Sequence, residues 1–286
     1  MTDLPRPLRS VLYLPASNAR ALEKARTLPC DAVILDLEDA VAPAAKEDAR
    51  RAAVAAVDAG GFGPRLVAIR ANGLPTPWSA EDFAAIAGSR ADAIVVPKVD
   101  TVDQAAAAVA AAGGKPVWAM IESPLAVLNV AAIAATPGVA ALVAGTADLA
   151  KDLRAQDDGN RTAFLFALSA MVNAARAFGI AVLDGMHPDI ADEDGLRRST
   201  AQGAMLGFDG RTLIHPAQIA AANDVYSPGA DAIADAHGLI AAHEEAAAQG
   251  KAVAVYKGKL VEVLHVAAAR RLLALHAAIA ARDGEA

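Results

Sequence analysis

The sequence predicts an α/β protein, a (β/α)8 (TIM) barrel with extra C-terminal helices. Eight short runs dense in Val, Ile and Leu recur in order: SVLYLPA (10–16), AVILDLE (32–38), RLVAIRA (65–71), AIVVPKV (93–99), PVWAMIE (116–122), VAALVAGT (139–146), AVLDGM (181–186) and GRTLIH (210–215). They alternate little between apolar and polar, as expected of parallel strands covered on both faces. Ala-rich helical patterns separate them, and eight such units fill the roughly 220–250 residues usual for a closed barrel. A doubly wound sheet would place a Gly-rich loop after its first strand, but LPASNAR follows here and carries no glycine.

The helices have their own signals. Ser17-Asn18 can cap a helix running to about Leu28, and Ser79 with Asp82 and Thr101 with Gln104 have capping-box spacing. Residues 160–178 and 192–206 are amphipathic. The long apolar stretch 124–145 is broken by Asn129, Pro137 and Gly138, so it reads as a helix and then a strand, not a membrane span. Beyond the barrel, 229–249 and 259–282 read as helices, with the Gly-punctuated QGKAVAVYKGKLVEV as a loop of ambiguous type. The expected organisation is a catalytic barrel over 1–228 and a helical extension over 229–286 that packs outside the barrel, caps its mouth or reaches a neighbouring subunit.

The chain has 286 residues, 55% hydrophobic, enough for a full core. Its net charge of −7 argues against nucleic acid as a partner. The single cysteine, Cys30, excludes an intramolecular disulfide framework and a Cys-rich zinc site. MTDLPRPLRS lacks an apolar core and a cleavage signature, so a cytoplasmic protein with no membrane association is expected.

In such a barrel the active site forms at the C-terminal ends of the strands. There the sequence places Glu38 and Asp39, Arg70 and Asn72, Lys98, Glu122, Asp148, Asp184 and His187, and His215. Glu122 and Asp148 come from adjacent strands, and two converging carboxylates repel unless a proton or a cation joins them. Oxygen ligands without cysteine suit Mg²⁺ or Mn²⁺ better than Zn²⁺; the competing roles are separate ion pairs or helix caps. Arg70 offers a bidentate fork to a carboxylate or oxyanion, or a structural ion pair to Glu38 or Asp39. Lys98, among so many acids, should stay charged, as an electrostatic or structural lysine and not a Schiff base. His187 and His215 read as hydrogen-bonded structural residues, His215 as buried, and Tyr13 and Trp118 as packing aromatics. Asp36 shares strand parity with Glu38 but lies deeper, and needs a buried partner.

The blocks RSVLYLPAS, DAVILDLEDAV, IRANG, PKV, IESPLAV, GTADLAKDL and GFDGRTLIHPAQI, in this order over about residues 9–228, resemble the HpcH/HpaI aldolase/citrate lyase superfamily, and within it the CitE-like (citrate lyase β subunit-like) acyl-CoA lyases. The resemblance implies a homo-oligomeric barrel, trimeric or hexameric, that uses Mg²⁺ to cleave a 3-hydroxyacyl-CoA thioester of malyl, citramalyl or citryl type into an acyl-CoA and a 2-oxo acid. It implies Glu122 and Asp148 as metal ligands, Arg70 as the oxyanion-stabilising arginine, and Glu38 and Asp39 as acids around the metal and its waters; Arg70 and Lys98 are expected to bind substrate, and Arg70, Glu38 and Asp39 to take part in catalysis. Many relatives carry G-x-M-I-D-x-P near the C-terminus, whose Asp serves a neighbouring subunit. Here GKLVEVLH puts Glu262 at the Asp and Leu264 at the Pro, and Ala147 stands where many relatives have an acid. The alternatives are a metal-dependent aldolase on free hydroxy-oxo acids, disfavoured because no histidine precedes His187, and a catalytically impaired acyl-CoA-binding paralogue.

Overall fold

The computed structural model describes residues 6–156, 158–251 and 253–284. Among these, eight parallel strands close into a barrel in sequential order: β1 (Ser10–Pro15), β2 (Ala32–Asp36), β3 (Leu66–Arg70), β4 (Ala93–Val96), β5 (Val117–Ile121), β6 (Val139–Ala144), β7 (Ala181–Asp184) and β8 (Gly210–Leu213), with β1 pairing β8. Helices alternate with them: α1 (Ala19–Ala25), α2 (Lys46–Ala59), α3 (Ser79–Gly88), α4 (Val102–Ala111), α5 (Pro124–Ala134), α6 (Thr146–Leu153), α7 (Leu165–Phe178), α8 (Glu193–Leu206) and α9 (Ile219–Tyr226). The doubly wound alternative is thereby excluded.

Strand parity divides the core. Val11, Ile34, Ala68, Val95, Trp118, Val143 and Leu183 fill the barrel, while their neighbours Leu12, Leu35, Ile69, Ile94 and Leu142 pack outward under the helices. The same period of two carries Tyr13, Asp36, Arg70, Glu122 and Gly145 to the inward side at the C-terminal rim. Each strand ends sooner than its apolar run suggests. One further amide still joins the ladder in places, as Leu37 N–H to Arg70 O and Gly145 N–H to Ile121 O. After that the chain turns out into the rim loops that hold the polar groups.

Local differences from the sequence reading have physical causes. Thr101 and Gln104 do form a capping box, and Asn18 Oδ1 accepts from Ala21 N–H. Ser79 is not a cap: it lies inside the first turn and its hydroxyl donates to Leu74 O and Thr76 O. Asp82, buried, accepts from Arg50 and Asn72 instead. The segment 160–178 becomes helical only from a 3-10 turn at Thr162, because Gly159 and Arg161 both adopt positive φ.

Residues Leu8–Tyr226 form one compact unit, and the described residues from Ser227 onward belong to another. The latter contains α10 (Ala230–Ala248), an antiparallel hairpin of β9 (Ala254–Tyr256) and β10 (Lys259–Val261), and α11 (Val263–Gly284), around Leu239, Ala246, Ala254, Val261 and Val266. The ambiguous loop is therefore a hairpin, and residues 259–261 are strand, not helix. Lys257 and Gly258, both at positive φ (47° and 76°), make the two-residue turn such hairpins require. By length and composition α11 is apolar enough to cross a membrane; in this unit it packs along α10.

Candidate active site

A cavity of about 380 Å³ opens at the C-terminal rim. Its polar lining includes Asp36, Asp39, Arg70, Glu122 and Asp148, and its apolar walls include Met120, Met186 and Ile214. The sequence-predicted groups from β2, β3, β5 and the start of α6 are thus brought together.

Asp36 and Arg70 are partners in the β2–β3 register. Arg70 Nε and Nη2 each donate to an Asp36 oxygen at 2.7 Å. This is the buried partner Asp36 needs, and it occupies the fork expected for a ligand. The remaining nitrogen, Nη1, lies 2.9 Å from Glu38 Oε2 and 3.5 Å from Asp39 Oδ2. Below, the guanidinium sits 4.9 Å from the centre of the Tyr13 ring, and burial raises the pKa of the Tyr13 phenol. Asp36 also accepts from the amides of Glu38 and Ala40, which fixes the start of the rim loop.

Glu38 is buried between two cations. Lys98 Nζ donates to its Oε1 at 2.8 Å, and Arg70 approaches Oε2. Burial still pushes its pKa up, while the bond to Glu38 holds the Lys98 amine charged, with its pKa raised. Lys98 has a second tie. At φ 56° it is a non-glycine residue in the left-handed region, a conformation in which its backbone N–H donates to Glu122 Oε1 at 2.7 Å. Lys46 supports the same loop from α2, with Nζ bonded to Leu37 O and Glu38 O and set over the Trp78 ring. Nothing in the local sequence signals that role.

Glu122 is 5% exposed. Its neighbour Ser123, not Glu122, caps α5, so capping does not compete for its carboxylate. Burial first, then the charge of Glu38, pushes its pKa up to about 7, and Asp148 adds to the rise. Asp148 sits in the first turn of α6, where the helix dipole favours an anion. Such a pair is electrostatically incomplete. The donors are carboxylates alone, and among the described residues no group of three or more His, Cys, Asp or Glu is arranged to hold a metal. The set fits Mg²⁺, which commonly takes one or two carboxylates and fills its other positions with water and substrate oxygens.

Gly145 is required beside Glu122. A Cβ at this position would stand well inside van der Waals contact with Glu122 Cβ and Oε2. Gly145→Ala should therefore displace Glu122, weakening Mg²⁺ binding at least ~10-fold and lowering kcat/KM about 100-fold, the order expected when a reacting geometry shifts by an ångström. Calorimetric Mg²⁺ titration and steady-state kinetics check this.

Other rim residues lie elsewhere. Asp184 is fully buried, turned outward and bound by Arg161 at 2.8 Å, not in the cavity. Asn72 is buried against Asp82. His215 is exposed, not buried, and Nδ1 accepts from Ala217 N–H at the start of a 3-10 turn. His187 lies 3.6 Å from Asp192. Glu262 is exposed in the C-terminal unit, its backbone N–H bonded to His265 Nδ1.

Residues 9–216 match the HpcH/HpaI aldolase/citrate lyase family. The chain belongs to that family. Among curated relatives of this HpcH/HpaI member, a (3S)-malyl-CoA thioesterase of Cereibacter sphaeroides is 46% identical over 275 residues, covering 96% of each chain. An L-malyl-CoA/beta-methylmalyl-CoA lyase of the same species is 35% identical, over 91% of this chain and 92% of that one. The structure of CitE from Mycobacterium tuberculosis in complex with magnesium, acetoacetate and coenzyme A superposes with a TM-score of 0.76 at 29% identity, over 95% and 98% of the two chains. The family is thus one of CoA-thioester lyases and hydrolases.

Proposed function

We propose that this HpcH/HpaI family enzyme acts on a malyl-CoA-type 3-hydroxyacyl thioester with a divalent metal, and that its net reaction is hydrolysis to the free hydroxy acid and CoA. The observation that carries the choice of hydrolysis is the 46% identity, across nearly the whole of both chains, to a malyl-CoA thioesterase. Carbon–carbon cleavage to acetyl-CoA and a 2-oxo acid is the second reading, favoured by the 35% identical lyase.

Glu122 and Asp148 would hold Mg²⁺, which when bound neutralises the acidic pair and polarises substrate oxygens. Arg70, locked by Asp36, presents Nη1 to an oxygen that gains negative charge. Glu38 and Asp39 orient a water at the rim. Glu38, with its pKa raised, is suited to take a proton from that water as the thioester carbonyl is attacked and to return it to the leaving thiolate. Lys98 holds Glu38 and Glu122 in register and contributes positive charge toward the substrate carboxylate. Glu262, exposed with Val263 and Leu264, is proposed to serve the pocket of a neighbouring copy in a trimer or hexamer.

The deciding experiment incubates the protein with (3S)-malyl-CoA and Mg²⁺ and follows free thiol and 2-oxo acid separately. Thiol release in step with malate, without glyoxylate, is the expected result. Glyoxylate with acetyl-CoA would establish the lyase reading, and neither product would contradict both.

The pair also predicts a pH dependence. The pKa of Glu122 is raised from an ordinary value near 4.5 to about 7, so in the metal-free protein this group favours the fold below 4.5 and loses that contribution as pH rises through about 7. Mg²⁺ binding requires the ionised form, so its affinity should fall as pH drops below about 7. Calorimetry across that range, with denaturant unfolding of the metal-free protein, measures both slopes.

A further inference from the structure

A second cavity, of about 290 Å³, adjoins the reaction pocket and shares Thr146, Ala147 and Met186 with it. Its charge is opposite. Arg161, Arg198 and Arg211 line it. Arg211, on β8, is 1% exposed. Its Nη1 donates to Thr200 Oγ1 at 2.6 Å and Ser199 Oγ at 3.0 Å, and Nη2 to Gly185 O at 2.6 Å, all neutral acceptors. Its Nε has no partner. Arg161 Nη1 donates to both oxygens of Asp184 at 2.8 Å, and Nε to Gln202 Oε1 at 2.8 Å. Its Nη2, also buried, has no partner. At the rim, Asp192 accepts from Gly195 N–H and faces His187.

Buried Arg211 and half-buried Arg161 against the buried carboxylate of Asp184 leave one surplus positive charge and two unused N–H groups, while Arg198 and Asp192 offset each other in the same lining. An uncompensated buried cation is costly, and a bound anion removes that cost.

We propose that this cavity is a subsite for a small organic carboxylate, held by Arg161 and Arg211 with the exposed Arg198 at its mouth, and separate from the Glu122–Asp148 pair. A monoanionic carboxylate matches the single surplus charge, which a dianionic phosphate would overcompensate. The guanidinium N–H groups suit a carboxylate, and the space admits an acid of a few carbons. The subsite goes beyond the proposed reaction and does not depend on it.

The test uses the full chain freed of divalent metal on a chelating resin. Loss of anion binding in Arg161→Gln assigns it to the arginine cavity and not to Arg70 and Lys98 of the reaction pocket. Calorimetric titration with acetate, succinate and inorganic phosphate should show saturable binding of a carboxylate at one site per chain, tighter than phosphate. Arg198→Gln, at an exposed position, should weaken it about 10-fold, the order of one charge-assisted contact, and Arg161→Gln should abolish it. Should Arg161→Gln fail to fold, the rise in Tm with acetate, present in the natural protein and reduced in Arg198→Gln, decides. Absence of saturable carboxylate binding in the millimolar range, tighter binding of phosphate, or binding unchanged by Arg198→Gln would overturn the proposal.

Discussion

Glu122→Gln should lower turnover of the CoA thioester by about 1,000-fold, the scale of losing a principal electrostatic contribution at a reacting centre, and should abolish the response to Mg²⁺. The amide keeps the shape and can still accept the Lys98 N–H through its oxygen. What it loses is the negative charge that a hard cation needs. The same substitution removes a carboxylate whose ionisation is opposed by burial and by Glu38 and Asp148. The metal-free variant should therefore be no less stable at neutral pH than the natural protein. Steady-state kinetics with and without Mg²⁺, combined with denaturant unfolding, separate the two effects. A large fall in stability would mean that Glu122 is structural.

Asp36→Asn should have the largest effect on stability, a loss of about 3–5 kcal/mol, because it strips a buried cation of its counter-charge. Arg70 is 8% exposed and its fork is closed by Asp36, which is itself 1% exposed. Glu38 and Asp39 still face Arg70, but through one nitrogen. Urea unfolding measures the loss. Replacing both partners with apolar residues, Asp36→Leu with Arg70→Met, should recover much of it while leaving the protein inactive. Full additivity of the two single losses would show that the pair does not act as a unit.

Much of the barrel is legible in the sequence because a strand buried on both faces is mostly apolar, and AVIL or VWAMI leaves little alternative. The rim acids are legible because a charge ending such a run on the inward parity emerges at the mouth of the barrel, as Asp36 and Glu122 do. Partners are harder. The Asp36–Arg70 pair depends on the register of β2 against β3, a relation between residues 34 apart in the chain. Asp184 looks like a rim acid but is turned outward to Arg161, which approaches from a loop after α6. The Ser79 and Asp82 spacing mimics a cap, yet Asp82 is claimed by Arg50 and Asn72. In the C-terminal unit Lys257-Gly258 is a valid hairpin signal, obscured by the apolar periodicity that runs through residues 259–282.

The proposed reaction rests on one divalent cation held jointly by Glu122 and Asp148, and Mn²⁺ binding followed by electron paramagnetic resonance measures whether they hold it. The natural protein should bind one Mn²⁺ per chain, displaced by Mg²⁺, and Asp148→Asn should lose that binding while remaining folded. Undiminished binding of one Mn²⁺ per chain by Asp148→Asn would contradict that joint role.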